Sequence, residues 1–438
     1  MSTPSGSRYR RPRALSPLRE HLRDTFWFAP TAGLVGVALL WWAASVVDAE
    51  VVELMRQDGD YDGIAGLIGY ADDAKTIITT VSSAMLTFIG VVFSISLVAV
   101  QMASGQFSPR VVRIFVRSRI TKLTFAVFLA TFVLSLLVMA AYDGESDPRL
   151  VSSVPLLQSV LTMLMVGLSL LLFIVYVNST LRLMRVSHVI DRISRESLAL
   201  LRKQEQQSEE ADSALGPETA RFAHQGRAGV LRDVHIARLV RVARRRGVVL
   251  RLIPRIGDFV VPGTPVLAVH GAGVVSRKAL RYSVSVGVER TFHQDLGFGL
   301  RQLADIALRA LSPAVNDPTT AVQALDRIVQ FLSVAAELPL GALRHRDADG
   351  AVRFVQDVPG WANLVDLGLS EIRGAVVGNP QVSRRMMAGV EDLLLLAPEE
   401  RREVLLRHRA LLVETVERTV PVAAEREFAL TADRQGIG

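Results

Sequence analysis

Three groups of residues have types and spacings that could do chemistry. Thr76, Thr80, Ser83, Thr87, Gly90, Ser94, Gln101 and Ser104 recur at steps of three and four or their sums, which puts them on one face of a helix. A weakly polar face of this kind lines a water path, or lets helices approach closely and bond through hydroxyls, or simply meets lipid. A second group, Asp58-Gly59-Asp60-Tyr61-Asp62-Gly63, matches the first half of a calcium loop, whose acids at alternate positions converge around a glycine turn. The twelfth position of such a loop carries a bidentate Glu, and here it is Gly69. Asp58, Asp60 and Asp62 therefore make a weak calcium candidate at best, and an acidic external turn otherwise. The third group is Arg301, Asp305 and Arg309 at fourfold spacing, followed by Asn316-Asp317-Pro318. The ladder reads as an intrahelical charge relay, worth about 0.3–0.5 kcal/mol per exposed pair. The sharper alternative is a subunit contact formed by Arg301, Asp305, Arg309, Asn316 and Asp317.

Much other chemistry is excluded. The chain has no cysteine, so disulfides, thiolate metal sites and a cysteine nucleophile are out. Its histidines show neither HExxH nor paired i,i+4 spacing, so no zinc site is expected. Gly271-Ala272-Gly273 and Gly297-Phe298-Gly299 lack the third glycine of a dinucleotide loop, and no GxxxxGK[ST] string occurs. No GxSxG elbow is present either. The expectation is a protein that is not an enzyme and has no cofactor and no resident metal.

The elements that must position these groups are dominated by four apolar runs, Trp27–Val47, Ile77–Met102, Leu123–Tyr142 and Leu156–Val177. A bilayer core of roughly 30 Å needs about 20 apolar residues in helical rise, and helices alone satisfy their backbone groups there within one short segment. None of the four runs contains Asp, Glu, Lys, Arg or His. Ionisable groups at membrane depth mark proton relays and pumps; their absence points away from those and leaves a passive pore or an anchor. The polar stripe lies in the second run.

Charge sets the orientation. Arg8, Arg10, Arg11, Arg13, Arg19 and Arg23 precede the first run, and acids from Asp48 to Asp73 dominate the segment after it. Arg110, Arg113, Arg117, Arg119 and Lys122 follow the second run, Asp143, Glu145 and Asp147 the third, and Arg182, Arg185, Arg192 and Arg195 the fourth. Basic residues flank the cytoplasmic ends of spans, so both termini are expected inside a bacterial plasma membrane, with 1–25 as a basic cytoplasmic tail. Val111 to Arg119 fits a basic amphipathic helix on the inner leaflet. The formal net charge is +7, and of the basic residues only Lys75, Lys122, Lys203 and Lys278 are lysines. That bias is explained by a GC-rich genome, and without interleaved aromatics it does not suggest nucleic-acid binding.

Beyond residue 180 the chain turns polar. Residues 181–229 read as a polar helix continuing the fourth span, then a Gln-, Glu- and Ser-rich linker over 204–226. A small α/β domain follows over 230–290, with strands at Val230–Val234, Val248–Pro254 and Phe259–His270 and a helix at His235–Arg246. Pro262-Gly263 suits the centre of a type II turn, where glycine supplies the positive φ. Residues 291–438 read as mainly helical, with Asp317 as N-cap and Pro318 in the first turn of one helix. The fold class is thus a membrane all-α domain of four transmembrane helices over 26–180, followed by a soluble α/β and then mainly helical cytoplasmic region.

Three strings together resemble a bacterial family: Gly90-Val91-Val92-Phe93-Ser94-Ile95, Gln106-Phe107-Ser108-Pro109-Arg110, and the run from Asp305-Ile306-Ala307-Leu308-Arg309 through Ser312-Pro313-Ala314-Val315-Asn316-Asp317-Pro318. They are similar to the family catalogued as domain of unknown function 2254. The resemblance implies an inner-membrane protein with a cytoplasmic C-terminal domain, and it carries no activity or functional residues with it. Two functional readings follow from the residues. One is a channel-like or passive transport protein with a cytoplasmic regulatory domain. The other is a membrane-anchored sensor or scaffold whose cytoplasmic domain binds an unidentified partner. The expected partners are the lipid bilayer and further copies of the chain in a homo-oligomer.

Overall fold

The computed structural model describes residues 27–106, 118–142, 147–205 and 215–436. The basic tail, the 110–117 segment, Asp143, Glu145 and the motif residues 107–110 lie outside them. The chain divides into two compact units, Met1–Arg185 and Val186–Gly438.

The described residues of the first unit form a bundle of four helices: α1 (Phe28–Gln57), α2 (Tyr61–Gln106), α3 (Arg119–Ala140) and α4 (Leu156–Met184). Each is long and apolar enough to cross a bilayer. Helix α3 packs against all three others, and 44% of its most apolar stretch is buried against 17% in each of the rest. Gly33 of α1 lets it approach closely, because a Cβ there would lie 3.1 Å from the carbonyl oxygen of Ala126. Phe88, Phe128 and Phe173, from α2, α3 and α4, form an aromatic cluster with centroids 5.4–6.4 Å apart.

Polar side chains inside the bundle fix the helix ends. Pro155 begins α4 without a capping side chain. Buried Asp48 of α1 supplies the cap instead, accepting the backbone N–H groups of Leu157 (2.8 Å) and Gln158 (3.2 Å). A carboxylate at a helix N-terminus answers both the orphan donors and the dipole. Tyr142 donates its hydroxyl to the carbonyl of Ala71 at 2.9 Å. Tyr176 donates to that of Val92 at 2.9 Å and receives Ser96 at 2.6 Å.

Two sequence expectations change here. The acidic segment between the first two spans is helical almost throughout, since α1 runs to Gln57 and α2 starts at Tyr61. The reversal needs only Asp58, Gly59 and Asp60, with Gly59 at φ +75°. The polar helix after the fourth span is not its continuation: Arg185 adopts an extended conformation and ends α4. A separate helix, α5 (Val186–Glu205), then opens the second unit.

In the second unit α5 packs on α8 (Leu296–Ala310) and α9 (Pro318–Ala335). Gly299 permits this approach, because a side chain there would collide with the hydroxyl of Ser197. Helices α10 (Trp361–Ala375), α11 (Pro380–Leu396), α12 (Arg402–Thr419) and α13 (Ala423–Leu430) complete a helical layer. Its core contains Leu300, Leu303, Leu325, Ile328, Phe331, Leu364 and Ile372, all buried.

The β part comprises β1 (Glu218–Ala223), β2 (Gly229–Val234), β3 (Val249–Leu252), β4 (Phe259–Val260), β5 (Pro265–His270), β6 (Val284–Gly287), β7 (Ala342–Arg346) and β8 (Val352–Asp357). A five-stranded sheet has the order β1-β5-β3-β8-β7, and a three-stranded one β4-β2-β6. Among the described strands only β3 and β8 pair in parallel, with Leu250 opposite Phe354. Helix α6 (Ile236–Arg246) covers the larger sheet through buried Leu239 and Ala243. A four-residue helix, α7 (Arg277–Leu280), lies between β5 and β6. Gly263 takes φ +94°, as a type II Pro-Gly turn requires. Residues 218–223, read from sequence as linker, are strand β1, and the mainly helical stretch also holds the β7–β8 hairpin.

Candidate functional site: the outward face of helix α2

Helix α2 has 46 residues, about 69 Å at 1.5 Å per residue, more than twice a bilayer core. Its inner face carries Ile64, Ala71, Ala74, Ile78, Met85, Val92 and Ala99, all buried against the bundle. The opposite face carries Asp62, Ala65, Gly66, Gly69, Asp72, Asp73, Thr76, Thr80, Ser83, Thr87, Gly90, Ser94, Val98 and Gln101, every one exposed, with exposed Ala84, Val91 and Met102 along one edge. At 100° per residue these positions occupy an arc of about 120°. Helix packing within the chain does not account for this stripe: a Cβ placed on Gly66, Gly69 or Gly90 would meet no heavy atom within 4 Å.

The sequence showed the stripe from Thr76 onward. The structure extends it through about four further turns and joins Asp72, Asp73 and Asp62 to the same face. Its hydroxyls are bonded along their own helix, Thr80 to the carbonyl of Thr76 (3.0 Å), Ser83 to that of Thr79 (3.2 Å) and Thr87 to that of Ser83 (3.5 Å). Each hydroxyl oxygen keeps accepting capacity. Chemically the face offers neutral oxygen dipoles over a hydrocarbon-length stretch, bounded at one end by carboxylates.

Asp58, Asp60 and Asp62 have separate duties. Asp58 caps the C-terminus of α1. Asp60 accepts the backbone N–H of Gly63 at 2.9 Å and caps α2, and Asp62 stands in the first turn of α2. Among the described residues no group of three or more His, Asp or Glu could hold a metal ion.

The charged ladder of the second unit faces inward rather than standing free. Half-buried Arg301 donates to Asp305 at 2.7 Å and grips Glu371 of α10 with both terminal nitrogens. The pairing with Glu371 raises the pKa of Arg301, and the bond from Arg301 lowers that of Glu371. Arg309 is half-buried on the same helix. Asn316 is exposed and takes φ +46°. Asp317 caps α9 as expected, accepting the N–H of Thr320 at 3.0 Å and its hydroxyl at 2.6 Å. Glu371 was invisible to sequence reasoning because it lies on another helix.

A second polar cluster joins α10 to α12. Buried His408 accepts from Arg373 at Nδ1 (3.1 Å), while its Nε2–H donates to Asp366 (2.8 Å). Burial depresses the pKa of His408, opposed by the bond to Asp366. For Asp366, burial works upward, and the bonds from His408 and Arg407 nevertheless hold its carboxyl below the ordinary value.

An uncharacterized protein of Mycobacterium bovis and one of Mycobacterium tuberculosis are each 28% identical over 431 residues, covering 95% of this chain and 79% of theirs. No solved structure matches. The description "predicted membrane protein" of domain of unknown function 2254 (DUF2254) matches residues 23–392. With four bilayer-length helices within that match, the chain belongs to the DUF2254 family of predicted membrane proteins.

Proposed function

We propose that this protein is a channel-like passive transport protein of the bacterial plasma membrane, in which several copies gather so that the outward faces of α2 surround a path. The observation that carries this reading is the stripe from Asp62 to Gln101, exposed along its whole length on a helix whose opposite face packs on the bundle through Ile78, Met85, Val92 and Ala99. Hydroxyl and amide groups replace part of an ion's hydration, and rings of acids at a mouth select cations. Asp62, Asp72 and Asp73 would supply such rings on the external side. With both termini inside, the C-terminal unit is cytoplasmic and serves regulation; the protein acts by passage, not by catalysis.

One observation favours the second reading, a membrane-anchored sensor or scaffold that binds a cytoplasmic partner. The hydroxyls of Thr80, Ser83 and Thr87 already bond to their own helix, which suits tight packing between copies without water. Conductance separates the two. Purified protein in planar bilayers, under voltage, tension and calcium, should carry current, and Thr87→Asp should shift its selectivity toward cations. A stable oligomer without current in wild type and variant would leave the sensor or scaffold.

A further inference from the structure

The second unit carries a basic surface that none of the readings above uses. From His235 through Leu250 the sequence has no acid, and none occurs from Gly271 through Gly287. The structure lays these two segments side by side. A side chain at Gly273 would collide with the carbonyl of Arg246, at the C-terminal end of α6. Midway, Arg238 donates to the carbonyl of Ala279 through Nε and Nη2, each at 3.3 Å. At the other end the N–H of His235 donates to the carbonyl of Ser283 at 2.8 Å. The 273–283 segment therefore runs antiparallel along the whole of α6, whose 11 residues span about 16 Å.

Both elements present cations outward. Arg241, Arg245, Arg246, Arg277, Lys278 and Arg281 are exposed. Of the cations on the two segments, Arg244 alone pairs with a carboxylate among the described residues, that of Asp349 at 2.8 Å. The inner face of α6 is committed to the sheet through Leu239 and Ala243. At the ends of the strap stand two exposed apolar side chains, Val274 at 81% and Tyr282 at 74%. Tyr282 is held at φ +62°, with the Arg281 guanidinium 4.7 Å from its ring centroid. Such a backbone conformation is uncommon for a bulky residue.

We infer that this face of α6 and the 273–283 strap docks on anionic lipid headgroups. Arginine matches phosphate through its planar fork, and apolar residues beside a basic surface favour the headgroup–acyl boundary. A nucleic-acid surface would offer stacking aromatics among the cations; Tyr282 is the single aromatic on either segment. The tether to four bilayer-length helices makes docking intramolecular, so individually weak contacts suffice. This inference stands whether or not α2 lines a path.

The test uses the full chain in nanodiscs of phosphatidylcholine alone or with phosphatidylglycerol added. Because the chain has no cysteine, a fluorophore can be placed singly at Val274→Cys. Docking predicts a blue-shifted probe shielded from iodide in phosphatidylglycerol discs and not in neutral ones, with shielding lost in high salt. Arg241→Glu with Lys278→Glu should lower the docked population sharply, since each cation removed weakens docking roughly fivefold. If that pair disturbs folding by circular dichroism, Arg241→Gln with Lys278→Gln should give a smaller loss in the same direction. Equal shielding in both lipids, or shielding indifferent to these variants, overturns the inference. So does displacement of the probe from phosphatidylglycerol discs by duplex DNA at equal salt, which would make the surface a nucleic-acid site.

Discussion

Replacing Gly90 by leucine adds an isobutyl group to the outward face of α2, and the same change at Gly33 adds it where α1 meets α3. A Cβ at Gly90 has no heavy atom within 4 Å, whereas one at Gly33 already lies 3.1 Å from the Ala126 carbonyl oxygen and 3.4 Å from its Cβ. Leaving glycine gains about 0.5–1 kcal/mol in a helix interior through reduced backbone entropy. At Gly90 nothing within the chain opposes that gain. At Gly33 the larger group overpacks the bundle, which costs about 1–3 kcal/mol. The entropy gain is common to both, so the two variants should differ by about 1–3 kcal/mol in the stability of the single chain. The assay is a denaturant titration in mild detergent, dilute enough that light scattering reports one chain per micelle. Gly90→Leu should unfold at or slightly above the wild-type midpoint and Gly33→Leu clearly below it. If Gly90→Leu is destabilised as much as Gly33→Leu in the monomer, the stripe packs inside the chain and the outward-facing reading fails. If Gly90→Leu spares the monomer but abolishes an oligomer formed at higher concentration, the same face is where copies meet.

Three further outcomes are expected. Asp48→Ala should cost about 1–2 kcal/mol, because α4 loses its charged cap in the bundle interior; a detergent unfolding midpoint equal to wild type would contradict this. His345 is buried on β7, with its ring 5.5 Å from that of Phe354, and burial pushes its pKa from 6.5 down to about 4. A depressed folded value means that its contribution is complete above pH 6.5 and is lost as pH falls toward about 4. Stability should thus fall by about 2 kcal/mol between about pH 7.5 and 5, and His345→Leu should flatten that slope; an unchanged slope would refute it. Gly299→Ala should lower the melting temperature by driving a methyl group into Ser197, and Ser197→Ala should restore part of the loss, which a double-mutant cycle would read directly.

What was legible in the sequence was what depends on local period. The four apolar runs, the Thr76–Gln101 stripe, the Asp317 cap and the Pro262-Gly263 turn are each decided by residues within a few positions of one another. What was missed depends on distant partners. Strand β1 reads as polar linker because Glu218–Ala223 becomes a strand only by pairing with β5. The β7–β8 hairpin carries three arginines among its apolar residues, and it is fixed in the sheet by parallel pairing of β8 with β3, about a hundred residues earlier. The helical extension through Asp62, Asp72 and Asp73 was hidden by their charge, which separates two apolar runs without saying that the segment between them is ordered. Sequence period placed the stripe on one face; only the packing of Met85, Val92 and Ala99 showed that this face points away from the bundle.

Cysteine accessibility on α2 tests the central claim most directly. With no native cysteine, Ser83→Cys, Thr87→Cys and Ser94→Cys can each be introduced alone, with Met85→Cys and Val92→Cys as inner-face controls. Proteoliposomes carrying each variant are treated with a charged, water-soluble thiosulfonate while ion flux is recorded. A water path along the outward face predicts rapid modification at residues 83, 87 and 94 with a concurrent fall in flux, and slow modification without effect at 85 and 92. Unreactive stripe positions in a protein whose flux never rises above that of empty liposomes would contradict it.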